Sequence, residues 1–92
     1  MEDNLFKIEW TELSKRDYDN LDGSEKIFVN KGLKKIQAFG MQAGTELHGD
    51  LASCRKLKNR KLGLRIIFRE SANAIEVIQI VAIGKREAEG RS

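Results

Sequence analysis

The first readable pattern is "FKIEW" at 6–10, where apolar and charged residues alternate and put Phe6, Ile8 and Trp10 on one side, as a half-buried strand does. From Thr11 the period turns helical. Thr11 can cap, Glu12 falls in the first turn, and Leu13, Tyr18 and Leu21 return near helical spacing until "NLDGS" ends the helix at Gly23. Ser24 offers the cap of a second helix, about Glu25 to Phe39. This helix carries Val29, Leu33 and Ile36 on one stripe and Lys26, Lys31, Lys34 and Lys35 mostly on other faces. "GMQAGTELHGD" at 40–50 sustains no period and reads as a loop into the sheet.

A strand from about Ala52 to Lys58, the turn "NRKLG" and a strand "LRIIFRE" at 64–70 form a hairpin. After a turn at Ser71 to Ala74, "IEVIQIVAI" at 75–83 becomes apolar on both faces toward its end, which suits a central strand. The order is β-α-α-β-β-β, an α+β chain of four strands. Its 92 residues close one modest core, so residues 1–92 read as a single domain.

Composition narrows the class. Apolar residues make up 40% and charged residues 34%, as in an ordinary folded domain. The lone cysteine, Cys54, excludes an intrachain disulfide, and with a single histidine, His48, it offers no zinc spacing. Cys54 reads as a packing residue, His48 as a surface loop residue, and Trp10 and Tyr18 as parts of the core or helix packing. "MEDNLF" is acidic without an apolar signal core, and "VIQIVAI" at 77–83 is too short to cross a bilayer. The expectation is a cytoplasmic protein with no membrane partner.

Charge changes the picture most. Of the 17 basic residues, seven fall between Leu51 and Arg69, where no acid occurs, leaving 10 basic against 14 acidic residues elsewhere. The basic character therefore belongs to one stretch and not to the whole surface. Strand alternation puts Lys56 and Lys58 on one side and Leu57 on the other, and it separates Leu64, Ile66 and Phe68 from Arg65, Ile67 and Arg69. If the apolar set packs on the helices, Lys56, Lys58, Arg65 and Arg69 converge on the open face. Lys85 and Arg86 in "IGKRE" can extend it. A merely solvated hairpin needs no such convergence.

Such a face suits phosphates, with arginines as bidentate donors and lysines as point charges. It also has the parts for cleaving RNA. A 2′-hydroxyl must lose its proton, a phosphorane gains negative charge, and a 5′-oxygen leaves, which calls for proton transfer and for cations aimed at the phosphate.

The sequence resembles the RelE/ParE superfamily of toxins from type II toxin–antitoxin systems, over nearly the whole chain from "KIEW" to "IGKRE". The likeness is most specific in "LHGDLASCRKLKNRKLGLRIIF" at 47–68, which resembles the family's L-x-G, K-x-K and G-x-R pattern, and in "VAIGKRE" at 81–87. It is closer to the RelE branch than to the ParE branch. The resemblance implies a mostly antiparallel four-stranded sheet with a helical hairpin packed on one face, and an endoribonuclease that cuts messenger RNA on the ribosome without a metal or other cofactor.

It further implies catalytic roles for Lys56, Lys58, Arg65 and Arg86: the lysines in proton transfer and phosphate binding, the arginines on the transition-state phosphate. Arg55, Arg60, Lys61, Arg69 and Lys85 are the accompanying candidate RNA contacts. Ser92 stands where RelE-like toxins usually carry a substrate-stacking tyrosine, so the C-terminal segment reads as short. The implied partners are a cognate antitoxin, the ribosome with its mRNA, and operator DNA only through the antitoxin complex. Two alternatives stay open: a ParE-like protein that inhibits DNA gyrase, and a degenerate toxin that only binds its antitoxin.

Overall fold

The computed structural model describes residues 5–47, 53–72, 74 and 76–85. In chain order the elements are β1 (Lys7–Trp10), α1 (Glu12–Asp19), α2 (Gly23–Phe39), a 3-10 turn (Gly40–Ala43), β2 (Thr45–Glu46), β3 (Arg55–Asn59), β4 (Leu64–Glu70) and β5 (Val77–Lys85). The strands form one sheet in the order β1-β5-β4-β3-β2. β1 runs parallel to β5, and the other pairs are antiparallel.

Each helix begins where a side chain can serve its otherwise unmatched amides. Thr11 Oγ1 accepts from the Ser14 amide at 3.0 Å, and Ser14 Oγ accepts from the Thr11 amide at 3.0 Å. The same Thr11 hydroxyl lies 3.1 Å from the Ile80 carbonyl, which anchors the start of α1 to β5. Asp22, and not Ser24, caps α2. Its carboxylate accepts from the Glu25 amide at 2.9 Å while Glu25 Oε1 accepts from the Asp22 amide at 3.0 Å, so two donors are matched reciprocally. α1 accordingly stops at Asp19, earlier than the sequence suggested, and α2 starts two residues sooner.

Both helices cover one face of the sheet. Val29 and Ile36 of α2 are fully buried with Leu64, Ile66, Phe68, Ile78 and Ile80. Gly32 lets α2 come close: a Cβ there would meet Ile66 Cδ1 at 2.9 Å and Leu57 Cδ2 at 3.0 Å. Trp10 and Tyr18 pack edge to face at 5.5 Å against this core, as read from the sequence. Leu13 departs from its expected place on the packed stripe and is exposed, because the buried position of α1 is taken by the capping residue Ser14.

Two further differences concern the sheet. The stretch read as a loop at 40–50 contains the 3-10 turn and the two-residue strand β2, so the sheet has five strands where four were expected. In β5, Ile67 pairs with Ala82 but Phe68 pairs with Ile80, so Val81 is an extra residue and the strand bulges. The bulge reverses the alternation. Ile78, Ile80 and Ile83 all reach the core, while Ala82 and Gly84 take register positions opposite Ile67 and Arg65. The Ile83 amide donates to Asp17 Oδ2 at 3.0 Å, a second tie between β5 and α1.

Candidate nucleic-acid interface

Pairing across β3 and β4 decides which charges meet. Leu57 stands opposite Ile66 on the helix-covered face; one step along, Lys58 stands opposite Arg65, and Lys56 opposite Ile67, on the open face. Side chains paired in this way hold their Cβ atoms about 5 Å apart, and like charges there repel. The fold therefore brings cations from β3 and β4 together on one face of the sheet.

The neighbouring strand leaves room beside these cations. Arg65 is flanked on β5 by Gly84, which is exposed and has no atom within 4 Å of where a Cβ would stand. Ala82, beside Ile67, is also small. Arg65 and Lys56 are both half-buried, and the Nε of Arg65 is buried against the sheet. Among the described residues no hydrogen bond or ion pair engages the Lys56 ammonium. Lys56, Lys58, Arg65 and Arg69 thus share the face the alternation assigned to them. Further along β4, Arg69 Nε donates to Gln79 Oε1 at 3.0 Å, so the Arg69 fork is oriented from β5.

The other basic residues are placed differently. Arg60 and Lys61 occupy the exposed tip of the β3–β4 connection, which closes through Gly63 at φ +66° and through Asn59 Oδ1, accepting from the Leu62 amide at 3.1 Å. Arg55, expected among the RNA contacts, is placed apart from the other cations of β3. It stands opposite Phe68 on the helix-covered side, where Nη1 donates to the Met41 carbonyl at 3.1 Å and Nη2 lies 3.5 Å from Glu46 Oε2. Strand parity explains this, because Arg55 and Leu57 are two residues apart and share a face. The signal was in the sequence, hidden within a run of like charge.

The carbonyl bond is the stronger of the two Arg55 contacts. A charged donor on a carbonyl contributes about 1.5–3 kcal/mol. The ion pair ends on a Glu46 side chain that is 68% exposed, where the contribution falls to about 0–1 kcal/mol. Cys54 is buried, in keeping with a packing role. Lys85 closes β5 with its backbone paired to Leu64. Arg86, His48 and Ser92 lie outside the described residues.

No three His, Cys, Asp or Glu side chains come together as a metal site among the described residues. Among the same residues no helix is long and apolar enough to cross a membrane. A depression of about 380 Å³ lined by Lys7, Ala74, Glu76 and Val77 lies at the opposite end of β5 from Gly84.

No protein-family model matches the chain, and no curated protein matches it in sequence. Solved structures do. A mutant of Escherichia coli toxin RelE in complex with a peptide of its antitoxin, RelBc, superposes with TM-score 0.77 at 21% identity, covering 94% of this chain and 88% of that one. The Mycobacterium tuberculosis toxin–antitoxin complex RelBE2 gives TM-score 0.74 at 16% identity, over 89% and 99% of the two chains. The chromosomal ParDE toxin–antitoxin system of Pseudomonas aeruginosa gives TM-score 0.62 at 21% identity, over 90% and 98%. The chain has the RelE-like α+β fold, with the short strand β2 added to the expected sheet.

Proposed function

We propose that this chain is the toxin of a toxin–antitoxin pair and that it cuts messenger RNA on the ribosome, with the RNA's own 2′-hydroxyl as the nucleophile and no metal. The observation that carries the reading is the meeting of Lys56, Lys58 and Arg65 on the sheet face opposite the helices, beside the bare backbone of Gly84. A phosphodiester laid there is within reach of three cations from two strands. In this reading the lysine pair exchanges protons with the 2′-hydroxyl and the leaving 5′-oxygen and contacts the phosphate. Arg65, joined by Arg86, holds the phosphate oxygens as negative charge grows on them. The new bond joins O2′ to phosphorus, the P–O5′ bond breaks, and the proton lost from O2′ is balanced by one delivered to O5′.

Phosphate and 2′-hydroxyl contacts suit RNA recognition, and Arg69, Arg60, Lys61 and Lys85 are the accompanying RNA contacts. The partners are the ribosome with its mRNA and a cognate antitoxin whose acidic or amphipathic segment covers the basic face; operator DNA is reached only through that complex. Likeness to complexes of RelE-like toxins with their antitoxins supports the partner class. An in vitro translation reaction with ribosomes tests the activity. The chain is expected to cut the transcript and Arg65→Ala to lose that activity; parental cleavage by Arg65→Ala would remove the site.

The fold likeness to a ParDE system keeps a second reading, a toxin that binds and inhibits DNA gyrase. Induction in cells separates the two. Cut transcripts and a translation block support the nuclease, whereas DNA damage with intact transcripts supports the gyrase reading.

A further inference from the structure

We infer that Arg55 is a positioning residue for Lys56: together with Gly44 it fixes the backbone from which the Lys56 ammonium projects, and it does not itself touch RNA. The inference rests on the reading of Lys56 as a reacting group, and the test below separates the two.

Lys56 lies on β3, whose outer neighbour is the two-residue strand β2, with Thr45 opposite Lys56 and Glu46 opposite Arg55. A pairing this short is marginal alone. Arg55 adds what the ladder lacks. Its Nη1 bond to the Met41 carbonyl ties β3 to the 3-10 turn that feeds β2, and its Nη2 contact with Glu46 reaches β2 itself. One planar fork therefore spans two successive segments of the chain, a geometry a single-point cation does not offer.

Gly44 completes the seat. A Cβ at this position would meet the Lys56 carbonyl oxygen at 2.6 Å and the Phe68 ring at 2.7 Å, so the carbonyl of Lys56 rests directly on bare backbone. Lys56 is thus held by Ile67 on one side, by Thr45 and Gly44 on the other, and through its neighbour's fork from the helix-covered side. Because successive side chains on a strand point to opposite faces, fixing Arg55 on one face sets the direction of Lys56 on the other. Proton transfer demands placement within hydrogen-bond reach, and small displacements lower the rate steeply.

The test uses single-turnover cleavage of ribosome-bound mRNA by the whole chain carrying Arg55→Met, which keeps the apolar stem, and Arg55→Lys, which keeps the charge. In Arg55→Met the saturating rate is expected to fall about ten-fold, while the half-saturating concentration and its dependence on salt stay unchanged. Arg55→Lys should recover part of the rate. In a Lys56→Ala background Arg55→Met should cost nothing more, the sign that both act through one group. Full rate in Arg55→Met, an additive loss in the double variant, or weaker binding with a shallower salt slope would overturn the inference.

Should Arg55→Met not fold, Arg55→Lys carries the same comparisons with a smaller loss. Should Lys56→Ala cleave at the parental rate, Lys56 loses its assigned role. The hydrogen-exchange rate of the Lys56 amide in Arg55→Lys then decides whether the seat exists: faster exchange upholds it and unchanged exchange overturns it.

Discussion

On the helix-covered side of β3 and β4, Leu57, Leu64, Ile66 and Phe68 meet α2 and the 3-10 turn. On the open side of the same two strands, Lys56, Lys58, Arg65 and Arg69 stand beside Ile67 and, on β5, beside Ala82, Gly84 and Gln79. The backbone is common to both sets, so the difference lies entirely in what each side chain is near. Residues of the first set are chosen by volume, because their neighbours leave no space. Those of the second set are half-buried or exposed, so volume constrains them less. A substitution on one face should therefore be read in stability, and on the other in function.

The largest expected effect comes from the covered face. Phe68 is fully buried, and Phe68→Ala is expected to lower unfolding free energy by about 3–5 kcal/mol, measured by denaturant titration. A loss below about 1 kcal/mol would mean that the packed side is not close-packed and would erase the contrast. On the open face Lys56→Ala should leave the melting temperature within a few degrees while lowering transcript cleavage about 10²–10⁴-fold, the usual share of a proton-transferring group. A melting shift as large as that of Phe68→Ala, with cleavage retained, would assign Lys56 to the fold.

The covered face was legible because burial enforces periodicity. Leu64, Ile66 and Phe68 alternate without exception, and "FKIEW" fixes β1 the same way. Legibility ended where the rule changed locally. In "IQIVAIG" the step from Ile80 to Ile83 is three residues where alternation needs two, and that spacing is the trace of the bulge at Val81. Read as a doubly buried strand, it gave no hint that Gly84 would flank Arg65. β2 was hidden for another reason: two residues carry no period, and Thr45 and Glu46 become a strand only because Lys56 and Arg55 offer them a partner. The cationic cluster was visible in the sequence, and the side of the sheet that Arg55 takes follows from its parity with Leu57.

Glycines sharpen the comparison at the next scale down. At Gly32 a Cβ would press on the ends of two flexible side chains, Ile66 and Leu57, and the gain in helix propensity of about 0.5–1 kcal/mol works against that pressure, so Gly32→Ala is expected to be nearly neutral. At Gly44 it would press on the Lys56 carbonyl, which cannot rotate away. Gly44→Ala is expected to lose about 1–3 kcal/mol and, unlike Phe68→Ala, to lower cleavage in the molecules that remain folded. Equal effects at the two glycines would show that the seat under Lys56 is not special.

The smallest effect belongs to the hairpin tip, where neither rule of the sheet applies. Arg60 and Lys61 are exposed and lie beyond the ladder that orients Lys58 and Arg65, so they are free of both packing and pairing constraints. If they contact RNA, each does so by charge alone. Replacing both with alanine should change stability by no more than about 0.5 kcal/mol and leave the saturating cleavage rate alone. It should flatten the dependence of ribosome binding on salt by roughly one unit of slope per lost phosphate contact. A titration of binding at several salt concentrations reads this directly. A slope that does not move would confine the interface to the strand face, where position is set by register, and leave the tip as solvated surface.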